Sequence, residues 1–166
     1  MSSNPSSLPV EPSLLHQLVG REMATRKANN RLKDYRPYPK QAEFHAAGAH
    51  FRERLLMAGN QVGKTFTGAG EASYHLTGEY PEDWFGRRFN HPTRGWVCGV
   101  TGLLVRDVQQ KLLCGEPGVP AMHGSGLIPR DRFIDKPSLA RGVTDAFDTI
   151  QVEHRTDGVV DGVSVA

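Results

Sequence analysis

Leu55-Leu56-Met57-Ala58-Gly59-Asn60-Gln61-Val62-Gly63-Lys64-Thr65 is the stretch around which this chain is organised. Three apolar residues run into a turn with two glycines, and a helix-compatible segment leaves it. The spacing follows G-x-x-x-x-G-K-[ST], with Ala58 in the first glycine position. Such a loop, set between a buried strand and a helix, surrounds a phosphate with backbone N–H groups. The helix that follows points its positive end at the same place. In this reading Gly63 lets the backbone approach, Lys64 reaches the β/γ-phosphates as a point charge, and the Thr65 hydroxyl ligates Mg²⁺. The competing reading is a glycine-rich strand-to-helix turn with a surface lysine and a capping threonine.

Working outward, Arg54–Met57 is expected as a short buried strand and Thr65 to Leu76 as a helix. Small residues Gly68, Ala69, Gly70 and Ala72 would let that helix pack closely on a sheet, and Gly78 would end it. Gly95-Trp96-Val97-Cys98-Gly99-Val100 is expected as a second buried strand, followed by a helix from Leu103 to Leu113. Strand, helix, strand, helix is the parallel α/β pattern. Further on, Phe147–Val152 alternates as a strand does. Asp157-Gly158 marks a hairpin turn, with Val159 onward as the return strand. The apolar run Gly162–Ala166 gives the sequence the look of a fold cut midway.

Upstream of the loop, Pro37 and Pro39 hold their preceding residues extended. Pro39 also suits the first turn of a helix. Gln41 then falls in that first turn. Its amide carries both a donor and an acceptor, which matches the N6/N7 edge of adenine by chemical analogy with base recognition. An exposed polar helix residue is the plainer alternative. Before this, residues 1–12 are rich in Ser and Pro and read as disordered or extended. From Ser13 the apolar residues Leu14, Leu15, Leu18, Val19 and Met23 form a helical stripe that would run to Ala28.

Composition excludes several classes. The 166 residues carry a net charge of +2, too little for an overall polyanion-binding signature. Residues 21–54 are locally basic, with nine Lys/Arg against four acids. Within them Arg26, Lys27, Arg31 and Lys33 are candidate DNA contacts, although a solvated helix face explains each residue alone. Cys98 and Cys114 lack metal-ligand or disulfide spacing and read as reduced, buried thiols. No apolar run reaches transmembrane length and no signal peptide is evident. The expectation is therefore a soluble, cytoplasmic protein.

ATP hydrolysis needs a carboxylate on Mg²⁺ and a residue orienting water, normally at the end of an apolar strand. Val159-Val160-Asp161 is too short for this. Ile150-Gln151-Val152-Glu153 is interrupted, and Asp145 and Asp148 lie in no apolar run. The expected metal site is half built.

The order Tyr35-Arg36-Pro37-Tyr38-Pro39-Lys40-Gln41, Phe44-His45, then Arg54 through Thr65, then Gly95–Thr101 resembles the large terminase subunit of tailed double-stranded DNA bacteriophages. The resemblance spans residues 31–166 and implies the first part of that family's ATPase domain. By it, Gln41 reads adenine, Tyr38 or Tyr35 packs on the base, and Gly59, Asn60, Gln61, Val62, Gly63, Lys64, Thr65 and Phe66 hold ATP and Mg²⁺. Lys64 takes the catalytic role. Several family members place an arginine in the variable part of the loop. Asn60, Gln61 and Val62 stand there, so that role is unassigned.

The implied fold is α/β, a P-loop NTPase-type, mostly parallel sheet with flanking helices, incomplete at the C-terminus. It would occupy residues 35–166, after a tail at 1–12 and a helix and linker at 13–34, with the family's nuclease domain absent. The implied activity is ATP-driven translocation of double-stranded DNA into procapsids in the cytoplasm of an infected bacterial host. A small terminase subunit, a portal protein and a homo-oligomeric ring are the implied partners. A helicase-like translocase and a non-catalytic nucleotide- or DNA-binding fragment are the alternatives.

Overall fold

The computed structural model describes Gln17 and residues 30–166. The expected tail at 1–12, the helix stripe from Ser13 to Ala28 apart from Gln17, and with it Arg26 and Lys27, lie outside the described residues.

Helix α1 spans Pro39–Ala47. Pro39 occupies its first position, where a missing N–H costs no hydrogen bond. Helix α2 spans Lys64–Thr77 and stops at Gly78, whose φ of 72° is the left-handed conformation that glycine adopts without a Cβ penalty. A third helical run, α3, joins a turn at Gly102–Leu104, a π-helical segment Val105–Gln110 and a last turn Lys111–Cys114. The Thr101 side chain caps its start by accepting from Leu104 N. These match the helices expected at 65–76 and 103–113.

Strands β1 (Ser138–Leu139) and β2 (Phe147–Thr149) pair antiparallel. Strands β3 (Gln151–Thr156) and β4 (Val159–Val165) form an antiparallel hairpin. Asp157 and Gly158 at its tip have φ of 51° and 81°, the two positive values that the Asp-Gly signal predicts. A bulge between His154 and Arg155 leaves Asp161 without a cross-strand partner, so its side chain turns back onto the hairpin.

The expected mostly parallel P-loop-type sheet is not formed. Among the described residues the sheets are these two antiparallel pairs, and parallel pairing is limited to one bridge, Arg94 to Val165. Residues 54–57 and 96–100 make no strand. Leu55 and Met57 are each 81% exposed, Trp96 is 95% exposed and Val100 is 92% exposed. A parallel strand is buried on both faces and takes its hydrogen bonds from neighbouring strands. These apolar runs have no such neighbours, because β3 and β4 satisfy each other across a tight turn.

Helix α2 stands between two cores. One contains Ala69, Leu76, Leu113, Cys114, Leu127, Ile128, Ile150 and Val152. The other contains Leu32, Tyr35, Tyr74 and Trp84. Phe66 packs against both. The small residues of α2 divide between partners, with Ala69 and Ala72 packing toward the core that holds Val152 of β3. A Cβ on Gly70 would lie 2.9 Å from the Tyr35 ring, so that glycine seats an aromatic side chain, while Gly68 is exposed. Cys114 is buried as expected, but Cys98 is exposed. No described helix is long and apolar enough to cross a membrane.

Candidate functional site

Residues 58–63 form an exposed loop that runs into the N-terminus of α2. Gly63 is the N-cap, with φ 80° and ψ 18° and no side-chain capping bond. The first amide N–H groups of a helix have no intrahelical acceptor, so Lys64, Thr65 and Phe66 present theirs at the loop. The Lys64 ammonium folds back over the loop, donating to the Ala58 carbonyl at 2.8 Å and the Gly59 carbonyl at 2.5 Å. Gln61 also has a positive φ of 62°, an uncommon conformation for a residue with a side chain. Thr65 is exposed, and the threonine that bonds back to the Gly63 carbonyl is Thr67, at 2.9 Å.

Gln41 reaches this loop from α1. Its Oε1 accepts from Tyr38 N at 2.9 Å, and its Nε2 donates to the Val62 carbonyl at 3.2 Å. An amide side chain has two acceptor lone pairs and two donor hydrogens. One of each is used, and one of each is left. A Cβ on Gly63 would sit 2.9 Å from Nε2, so this position combines a left-handed backbone with a close neighbour. Tyr38 is exposed beside Gln41. Phe66 turns inward, its ring 5.3 Å from that of Tyr35.

The structure thus brings together Gln41, Val62 and Gly63, and closes Lys64 on Ala58 and Gly59. Arg31 and Lys33 lie apart from this arrangement, on a 3₁₀ turn at Arg31–Asp34. Both are exposed, and Arg31 donates to the Ser125 carbonyl instead of meeting the loop. A cavity of about 770 Å³ lined by His123, Arg130, Phe133 and Lys136 contains none of the loop residues. The loop itself is an open surface.

Behind the loop lies a buried polar cluster that sequence reasoning missed. Glu71, two turns into α2, has a side chain only 7% exposed. Its Oε1 accepts from Arg54 Nη2 at 2.7 Å, and its Oε2 accepts from Arg54 Nη1 at 3.2 Å. His45 Nδ1 lies 2.9 Å from Oε2, and His75 Nε2 lies 3.3 Å from Oε1. A carboxylate only accepts, so His45 Nδ1 carries the hydrogen, and in the neutral ring Nε2 accepts from the Tyr35 hydroxyl at 2.8 Å. Burial pushes the Glu71 carboxyl up, but the bonds from His45, His75 and Arg54 outweigh it and hold it well below the usual carboxylate range. Burial likewise pushes the Tyr35 hydroxyl up to about 12, which keeps it a donor. The signal in the sequence is a lone carboxylate on the packed face of a small-residue helix, four residues before His75.

Whether the site fits ATP and Mg²⁺ turns on its donors. An ammonium at an uncapped helix N-terminus suits phosphate oxygens, which would take the place of the two carbonyls that Lys64 now holds. Thr65 offers one hydroxyl, which suits a Mg²⁺ carried largely by phosphates and water. Among the described residues no group of three or more His, Cys, Asp or Glu could hold a metal. Asp161 accepts from Thr156 Oγ1 at 2.5 Å and is paired with His154 at 2.6 Å. Glu153 is paired with Arg155 at 2.6 Å.

Residues 55–101 match the family model described as terminase large subunit, T4likevirus-type, N-terminal. The matched segment contains the loop and all of α2. The chain belongs to the large-terminase-subunit family. A curated relative is the terminase large subunit of Salmonella phage P22, 39% identical over 147 residues. That alignment takes in 81% of this chain and 29% of the P22 protein, so the chain spans under a third of its relative. No solved structure matches it.

Proposed function

We propose that this chain binds ATP, with the loop and α2 N-terminus as the phosphate site, and that it is the nucleotide-binding front part of a DNA-packaging ATPase. One observation carries the reading. A single lysine ammonium is held over a glycine-containing loop at an uncapped helix start, bonded only to loop carbonyls that an anion would replace. Gly59, Asn60, Gln61, Val62 and Gly63 line the phosphates, and Lys64 takes the charge of the terminal ones. Thr65 holds Mg²⁺ by its hydroxyl. Phe66 contributes its backbone N–H while its ring anchors the helix.

Gln41 uses its free lone pair and free hydrogen on the adenine edge. Adenine N6–H donates and N7 accepts, whereas guanine presents two acceptors at O6 and N7. The amide therefore favours adenine. Tyr38 is placed to cover the base.

In the family reading, the whole protein uses ATP to move double-stranded DNA into a procapsid, working with a small terminase subunit and a portal protein as a ring. This chain binds nucleotide better than it turns it over, because Asp161 and Glu153 are already engaged by His154, Thr156 and Arg155. The test is binding of a fluorescent ATP analogue with and without Mg²⁺, in the wild type and in Thr65→Val. Mg²⁺-dependent binding that is weakened in Thr65→Val supports the site. Binding that ignores both Mg²⁺ and the hydroxyl removes Thr65 from it.

A further inference from the structure

We infer that Glu71 is a positioning residue for base recognition: by gathering α1, the approach to the loop and α2 onto one buried carboxylate, it sets where the Gln41 amide stands. The inference rests on the nucleotide reading above. Three separate segments meet at Glu71. Arg54 lies four residues before Ala58, at the entry to the loop. Besides its two bonds to Glu71, its Nη1 donates to the Phe44 carbonyl at 2.8 Å, and its guanidinium carbon lies 4.5 Å from the centre of the Phe44 ring. His45 belongs to α1, and His75 lies one turn further along the same face of α2.

The consequence for Gln41 follows from helix geometry. Gln41 and His45 are four residues apart and share a face of α1. That face is pinned twice, at His45 by Glu71 and at Gln41 by the Val62 carbonyl. Two pins one turn apart fix the tilt of α1 against the loop. With the Glu71 pin gone, α1 keeps the Gln41 bond to Val62, the Arg54 bond to the Phe44 carbonyl and the Tyr35 bond to His45, but loses the carboxylate that ties His45 and Arg54 to α2. A reader that uses one donor and one acceptor tolerates little of the movement this allows, since displacement near 1 Å is enough to break paired recognition. A buried ion pair is also a poor way to gain stability alone, compared with apolar packing, and its better-attested use is to fix register.

The test compares Mg·ATP, Mg·GTP and tripolyphosphate binding by the 166-residue chain in the wild type, Glu71→Gln and Arg54→Lys. The wild type is expected to prefer ATP over GTP by at least about fivefold, the discrimination of one paired base contact. Both variants are expected to lose most of that preference while tripolyphosphate binding changes by less than about twofold, because the phosphate loop keeps its own contacts. Arg54→Lys replaces a two-nitrogen fork with one ammonium and decides the matter if Glu71→Gln does not fold. Folded variants with the wild-type preference overturn the inference and leave the loop reading standing. A wild type that binds tripolyphosphate without preferring ATP does the same. A wild type that binds none of the three overturns the loop reading, and this inference with it.

Discussion

The Gln41 side-chain nitrogen lies 2.9 Å from the point where a Cβ on Gly63 would stand, and the Gly63 backbone is left-handed with φ 80°. Glycine at this position is thus required twice, by the backbone and by its neighbour. Gly63→Ala is expected to cost about 1–3 kcal/mol in urea unfolding, the usual cost of a left-handed residue with a side chain. It should also displace Gln41 from the Val62 carbonyl and weaken ATP binding more than tripolyphosphate binding. Unchanged stability and unchanged selectivity would show that the turn relaxes freely.

Gly78 provides the contrast away from the loop. A Cβ there would lie 2.1 Å from the Arg155 carbonyl oxygen and 2.8 Å from the buried His154 ring. Neither can retreat cheaply, since one is backbone of β3 and the other is fully enclosed. Gly78→Ala is expected to destabilise the chain by at least about 2 kcal/mol through overpacking and strain. A thermal melt checks the stability. Any of the variant that folds should keep its nucleotide selectivity.

The Glu71 carboxyl gives a pH signature with a definite sign. Its proton affinity in the folded chain is depressed from an ordinary value of 4.5 by His45, His75 and Arg54 acting against burial. The unfolded chain therefore binds the proton first as the solution is acidified. The stability Glu71 contributes is fully present above that ordinary value and is lost as pH falls below it toward the folded value. Urea midpoints measured from about pH 6 down to about pH 3 should fall more steeply for the wild type than for Glu71→Gln. Parallel curves would mean that Glu71 titrates alike in both states.

The two cysteines should separate under a thiol reagent. Cys98 is exposed. Cys114 is buried, and burial pushes its thiol up to about 12, so little thiolate forms in the folded chain. One rapid equivalent of labelling is expected from native protein and a second only in denaturant. Loss of the rapid phase in Cys98→Ser checks the assignment.

The parts legible in the sequence are those written in neighbouring residues. Pro39 opening α1, Gly78 closing α2 and Asp157-Gly158 turning the hairpin each follow from backbone preferences of one or two residues. The loop was legible because Gly63 and Lys64 hold fixed spacing. The sheet was not, because Leu55–Met57 and Trp96–Val100 state only an apolar preference. A strand exists by pairing, and the pairing partner is not encoded in the run itself. The Glu71 cluster was hidden for a related reason. Tyr35, His45, Arg54, Glu71 and His75 are spread over forty residues, and apart from the four-residue spacing of Glu71 and His75 none has a local pattern that names another. Only the oddity of a carboxylate on a packed helix face marks it.

Phosphate binding by this chain depends most directly on Lys64 as the cation. Calorimetric titration of Mg·ATP into the 166-residue chain and into Lys64→Ala tests it. The expected result is measurable wild-type affinity that falls at least about tenfold in Lys64→Ala, the value of one charge-assisted bond to phosphate, with both proteins equally folded by circular dichroism. Equal affinity in the two, or none in the wild type, would rule out Lys64 as the phosphate-binding cation.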